Sequence, residues 1–336
     1  MKIALWPAVV LIGVMHAVAA QADSVAAKCS LKRLASVHFT VIDHRLYLPV
    51  TAADRGAWVV LDTKAIVGTI QKQYVHDFAH RTYTQSPYPT PLAIIEPFQL
   101  GAAKFERVDL AVVPEFRSVP VPPGGDPLIG SLAMDAFAHM DFELDFKASQ
   151  INLYSQDHCP GSVVYWASSY ASIPMQLSPE GTYYFPVELD GQKIEATLQT
   201  NWGPSQLFTD VSRGVFGFDE NSPDVEHRVD DTGKALTHYR AMSLTAKGLK
   251  VTNADVVLSP NPLRAHCKSF GKAPDTDGAV RYLGCGNFVA PLRIGLQVLE
   301  QLHLYFATKE RVLYFTSADT GPADAPGVHI EPPGSN

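Results

Sequence analysis

Two stretches of the chain superpose without a gap at a shift of 137 residues. Residues 46–63 read LYLPVTAADRGAWVVLDT and residues 183–200 read YYFPVELDGQKIEATLQT. Tyr47 falls on Tyr184, Pro49 on Pro186, Val50 on Val187, Leu61 on Leu198 and Thr63 on Thr200. Turn residues coincide to within a position, Asp54-Arg55-Gly56 against Asp190-Gly191-Gln192. Each stretch therefore predicts a β-hairpin whose second strand ends just before a threonine. A repeat of this length means that one structural unit occurs twice, and the fold must accommodate both copies.

The ends of the two units agree as well. Residues 134–154 (MDAFAHMDFELDFKASQINLY) and 296–315 (LQVLEQLHLYFATKERVLYF) each give a short helical pattern, a strand, a polar turn and a second strand. Between hairpin and ending lie alternating runs at Leu92–Leu100, Phe105–Val113, Arg240–Thr245 and Leu249–Leu258, which read as half-buried strands. Long helical patterns are scarce. The expected fold is mostly β, with two homologous barrel-like lobes, each carrying a short helix near its end. The boundaries are 29–160 for lobe 1 and 161–316 for lobe 2, with the junction near Cys159-Pro160-Gly161. The segment 317–336, rich in proline and poor in apolar residues, is expected to be disordered.

Lys2 followed by the apolar run Ile3–Val18 and the small residues Ala19 and Ala20 reads as a secretory signal over 1–20, cleaved before Gln21. The expected location is exported, periplasmic or secreted, with no membrane span in the mature chain. Export favours oxidised cysteines. Cys29, Cys159, Cys267 and Cys285 allow three pairings, and the division of the chain selects Cys29–Cys159 and Cys267–Cys285, one per lobe. In the loop-entropy account each is worth roughly 3–5 kcal/mol. No CxxC occurs, and a net charge of −7 without a Lys/Arg run longer than two residues argues against a nucleic-acid surface. No metal and no cofactor are expected.

The most telling position is Asp62. The apolar run Trp58–Leu61 ends on it, and an ionised carboxylate at the end of a buried strand needs a partner or a task. With Val59–Thr63, the lobe endings Met134–Phe137 and Asp141–Phe146, and their counterparts Ile294–Leu299 and Leu302–Phe306, the chain resembles the aspartic peptidases, in particular exported bacterial proteins with retropepsin-like domains. That resemblance implies two lobes of aspartic-peptidase type, a β-hairpin flap over a cleft for an extended peptide, and one catalytic Asp from each lobe. Two close carboxylates share a proton, so that one activates water while its protonated partner polarises the scissile carbonyl.

Only part of that arrangement is present here. Asp62 and Thr63 match the first half-site, with Lys64 where the family has glycine. The matching positions in the second copy are Gln199, Thr200 and Asn201. Glutamine forms hydrogen bonds but cannot hold or release the shared proton. Lys64, with its ammonium near Asp62, would favour the ionised carboxylate. Two verbatim Asp-Thr-Gly strings, at 231–233 and 319–321, follow no apolar strand and read as turns. His76 and His80 have metal-ligand spacing but no third ligand nearby, and Ser205 lacks a nucleophile context. Trp58 and Trp202 flank the two turns and suit either cleft or core, whereas Tyr47 and Tyr184 suit packing. Three functions follow. One is an aspartic-type peptidase impaired by Gln199, the second a non-catalytic protein that binds an extended peptide or protein segment, and the third an envelope scaffold. A monomer is expected, because each chain supplies both half-sites.

Overall fold

The structure is a computed structural model. It describes residues 30–84, 90–116, 119–178, 181–230, 233–261, 270–274, 280–284, 287–319 and 328–330. The signal segment therefore lies outside the described residues. So do Cys29, Cys267 and Cys285, and with them both expected disulfide pairings in whole or in part.

The protein is mostly β. Both hairpins form as the repeat predicts. Strand Arg45–Ala52 pairs with Arg55–Asp62, and Tyr183–Leu189 pairs with Gln192–Leu198. Each is closed by two residues with positive φ, Ala53 (48°) and Asp54 (61°) in the first and Asp190 (48°) and Gly191 (77°) in the second. Both turns thus have the twist that right-handed strands favour, and they coincide at the 137-residue shift. The first turn sits one residue earlier than Asp54-Arg55-Gly56 indicates. Gly56 belongs to the strand, where a Cβ would meet the Asp126 carboxylate at 2.7 Å.

Around these hairpins the two halves build the same strand order. In the first, Val108–Val113, Thr69–Gln71, Leu128–Ala133, Arg55–Asp62 and Arg45–Ala52 are successive neighbours. In the second the order is Leu249–Ser259, Ser205–Phe208, Leu292–Ile294, Gln192–Leu198 and Tyr183–Leu189. In both, the strand that ends at the threonine runs parallel to a later apolar strand: Leu61 lies opposite Leu132, and Leu198 opposite Ile294. A parallel neighbour on one side and an antiparallel one on the other bury these strands, which is why Trp58–Leu61 reads as an unbroken apolar run. The two expected helices are a 3-10 turn at Met134–Phe137 and a single α-turn at Leu296–Leu299.

A third sheet joins the halves. Its order is Arg33–His38, Gln150–Tyr154, Asp141–Asp145, Leu302–Ala307, Val312–Ser317 and Ala171–Pro174, three strands from each half. At its centre Phe142 opposes Phe306, with rings stacked at 4.2 Å. One continuous apolar cluster runs through both halves. Within the tail expected to be disordered, Val328–Ile330 pairs with Leu249–Val251. Its alternating Val-His-Ile is a short strand pattern, and its partner is the start of Leu249–Ser259, whose neighbour Ser205–Phe208 pairs only with Val256–Ser259. Among the described residues no helix is long and apolar enough to cross a membrane.

Beneath the segment that links the halves, two fully buried carboxylates are saturated with donors. Glu143 accepts from His303 Nε2 (2.5 Å), the Tyr154 hydroxyl (2.6 Å), Asn152 (3.0 Å) and Tyr165 (2.9 Å). Asp141 accepts from His158 Nε2 (2.5 Å) and from Thr308 N and Oγ1 (2.9 Å each). Trp166 stacks on the His303 ring at 4.1 Å. Glu143 comes from the first half and His303 from the second, so this polar set clamps the joint. Burial raises the Glu143 pKa, but the bonds from His303 and Tyr154 outweigh it and hold the group below its ordinary 4.5. The folded state thus binds this proton less readily than the unfolded chain. The stability it contributes is complete above about pH 4.5 and is lost as pH falls through the lower folded value. Glu143→Gln should cost ~3 kcal/mol at pH 7, toward the low end for removing one partner of a buried pair. Urea denaturation of the two proteins at stepped pH should show a constant gap above about pH 5, closing below about pH 4.

Candidate functional site

The two threonines that end the repeated strands meet. Thr63 Oγ1 donates to the Leu198 carbonyl (2.9 Å), and Thr200 Oγ1 donates to the Leu61 carbonyl (2.6 Å). Thr63 N donates to Thr200 Oγ1 (3.2 Å), and Leu46 N donates to the Thr200 carbonyl (3.1 Å). Thr200 is fully buried and Thr63 nearly so. These strand-end carbonyls are out of reach of solvent and need donors, which each half supplies to the other. Leu61 is thus tied to Thr200, and Thr63 to Leu198. Asp62 and Gln199 are the residues that lie between these tied positions in the two halves.

The contact made by Asp62 is with a different residue. Its Oδ2 accepts from Asn201 Nδ2 at 2.7 Å, and its Oδ1 accepts from Lys64 N and Ala65 N, both at 3.2 Å. Gln199 makes no hydrogen bond to Asp62. It is 6% exposed, and its Oε1 has no partner. The Oδ1 of Asn201 and the Nε1 of Trp202 are also buried without a partner. Lys64 acts through its backbone: among the described residues no Lys, Arg or His nitrogen lies within 4 Å of the Asp62 carboxylate. Lys64 and Asn201 both have negative φ, so neither turn needs the glycine whose place they occupy.

Arg293 is the site residue that the sequence reading missed. It lies between Leu292 and Ile294 on the strand beside Gln192–Leu198, opposite Thr197 and Gln206. Its guanidinium donates to Gln206 Oε1 (3.1 Å) and sits over the Phe208 ring at 5.1 Å. Burial lowers its pKa, and the charge on Asp62 opposes that shift. The available signal was a lone cation in an otherwise apolar strand. The counterpart of the Arg293–Gln206 pair in the first half is the Ser131–Thr69 hydroxyl pair, at 2.8 Å.

The remaining candidates are accounted for structurally. Ser205 is buried and accepts from Gly295 N (3.1 Å). His76 is exposed, and no group of three metal-ligating residues occurs among the described residues. Tyr47 packs in the core and donates to the Pro120 carbonyl (2.8 Å). Trp58 packs beside it. Of the first Asp-Thr-Gly string, Asp231 and Thr232 fall outside the described residues; Val225–Val229 before it pairs with Ala235–Ala246 after it, and Gly233 N donates to the Asp230 carbonyl at 2.9 Å. Asp319 is described, while the rest of the second string is not.

Next to Asn201 a cavity of about 290 Å³ opens between the 43–45 turn, the 202–204 segment and that same hairpin. Gly203 allows the close approach here, since a Cβ would meet the His44 ring at 2.6 Å. Five of the charged or ionisable groups on its walls form ion pairs: Arg45 with Asp43, and His238 (2.9 Å) and Arg228 (3.8 Å) with Asp255. Trp202, Pro204 and Leu236 add apolar surface.

No protein-family model matches the chain, and no curated protein matches it either. Among solved structures it is similar to conglutin gamma, a basic 7S globulin from lupine seeds. That match has a TM-score of 0.44 and 12% identity, covering 86% of this chain and 95% of that one. It is also similar to the basic 7S globulin from soybean, at TM-score 0.44 and 10% identity, covering 86% and 96% respectively. Similarity this low fixes neither fold nor function. The resemblance to the aspartic peptidases is therefore corrected: no family match supports it, and the similar structures are seed globulins. The motif behind it was a few residues long and lacked both the glycine at 64 and the acid at 199.

Thr200→Val keeps the shape but removes the donor to Leu61 and the acceptor for Thr63 N. Leaving two buried backbone groups unpaired should cost about 2–4 kcal/mol, to be read from the shift in denaturation midpoint. Ser205→Ala, which removes a single bond, should cost about 1 kcal/mol.

Proposed function

We propose that this protein is a non-catalytic binding protein that holds an extended peptide segment in the cleft between two lobes, 29–160 and 161–316. The observation that carries this reading is the chemistry facing Asp62. Its carboxylate meets two backbone N–H groups and the Asn201 carboxamide, and it shares no hydrogen bond with a second carboxyl group among the described residues. Hydrolysis by a proton-sharing pair needs that second acid. Peptide binding does not, since an extended segment is held through its backbone and by pockets for its side chains. The cavity beside Trp202 is of a size and mixed polarity that suit one or two peptide side chains. Export of the mature chain as a monomer, with its cysteines paired within lobes, belongs to the same proposal.

The test uses a mixed-sequence peptide library and the mature protein at about pH 3 to 7, with mass-spectrometric detection of cleavage and equilibrium detection of capture. Capture without cleavage is expected. Cleavage that disappears in Asp62→Ala would overturn the reading. Gln199→Asp and Asn201→Asp each place a second carboxyl group at the junction. Weak acid-range cleavage gained by either, with none in the natural protein, would show that the missing acid is what keeps the site silent.

A further inference from the structure

Leu292 and Ile294 face the core, so Arg293 between them points to the other side of its strand. Gln206 and Phe208 meet it there, and Asp62 of the first half is near enough for its charge to act on the guanidinium. A guanidinium has five N–H donors and no acceptor. Nη1 is engaged on Gln206 Oε1 at 3.1 Å, and the guanidinium carbon lies over the fully buried Phe208 ring at 5.1 Å. Nε and Nη2 have no hydrogen-bond partner among the described residues, and no carboxylate oxygen there lies within 4 Å of the group. These two nitrogens, and Nε2 of Gln206, are not among the unpartnered atoms closed to solvent, and both residues are half-buried. A ligand entering from the solvent side therefore finds a cation held in place, with its free donors exposed.

Strand pairing does not require this cation. The same place in the first half is taken by the Ser131–Thr69 hydroxyl pair, with Ser131 beside Val60 as Arg293 is beside Thr197. A charge drawn partly out of water with no counter-ion in contact is costly, and the fold has a cheaper solution for the position.

Resting on the peptide-binding reading, we propose that Arg293, held by Gln206, binds a carboxylate of the bound segment, either its carboxyl terminus or an acidic side chain. With Nη1 engaged, the free Nε and Nη2 form one edge of the planar fork, which matches the two oxygens of a carboxylate. The Phe208 ring covers a face of the guanidinium and leaves that edge clear. Asp62 opposes a second anion, but it is more than 4 Å from the guanidinium and takes three hydrogen bonds of its own. A carboxylate in contact gains more from Arg293 than it loses to the more distant acid, because the interaction falls with separation.

Calorimetry of the mature protein at pH 7 separates the sources with one peptide in several forms. The first is capped at both ends and free of acidic residues, the second has a free carboxyl terminus, and the rest are capped forms with a single glutamate at successive positions. At least one acidic form should bind roughly tenfold more tightly than the neutral one, the worth of a hydrogen-bonded charge pair. Which form gains identifies the source. The gain should vanish in Arg293→Met, fall in Arg293→Lys, which keeps the charge and loses the fork, and rise in Asp62→Asn, each checked for an unchanged melting curve. In parallel, sodium acetate is titrated against sodium chloride at equal ionic strength while the Nε–H signal of Arg293 is followed by nitrogen-edited NMR, and only acetate should shift it. An acidic gain that persists in Arg293→Met, or that weakens in Asp62→Asn, would overturn the carboxylate site. Equal binding of all the peptides would overturn that site and leave peptide binding intact. An acetate-specific shift with no peptide bound would keep the site and overturn the peptide reading. No peptide bound and no acetate shift would overturn both.

Discussion

The crossed hydroxyls of Thr63 and Thr200 decide what the centre of this molecule can be. Each comes from one half and satisfies a carbonyl of the other, at 2.9 and 2.6 Å, in a place where neither carbonyl can find water. The tie fixes the separation and register of two strand ends that are distant in sequence. Everything nearby inherits its position from it, including the meeting of the Asn201 carboxamide with Asp62. The third sheet supports the same joint from below, through the Phe142–Phe306 stack and the Glu143–His303 bond.

A lone carboxylate at such a joint would be expensive if it were unpartnered. Asp62 avoids that cost with three hydrogen bonds, two from the turn that follows it and one from the facing half. The local turn would hold the acid in place even without the second half. The reverse does not apply: Asn201 has one donor engaged and its acceptor unused, and Gln199 has no partner for its oxygen.

Much of the fold was legible because the 137-residue repeat constrains both hairpins at once, and because a strand buried on both sides leaves an unbroken apolar run such as Trp58–Leu61. The threonine positions were legible for the same reason. The direction of side chains past the strand end was not. Superposition pairs Asp62 with Gln199, but beyond the last strand residue the chain turns, and the residue two further on is the one whose amide reaches the acid. Arg293 was hidden because its strand is only three residues long and its partners, Gln206 and Phe208, are supplied by a neighbour far off in sequence. The short strand Val328–Ile330 was hidden by the prolines around it, since composition reports on a whole segment and the pairing with Leu249–Val251 recruits only three residues.

The duplicated positions separate what the joint requires from what a ligand requires. Residues 63 and 200 are both threonine, and each must donate to the opposite strand, so a change at either breaks a bond that the other half depends on. Residues 62 and 199 carry no part of that tie. They differ in charge, and the threonines beside them still donate across to the opposite strand in both halves. Side-chain identity at this pair is thus free of the demands of the threonine tie. Asp62, held by two backbone N–H groups and the Asn201 amide, has no second carboxyl among its hydrogen-bond partners in the described residues with which to share a proton.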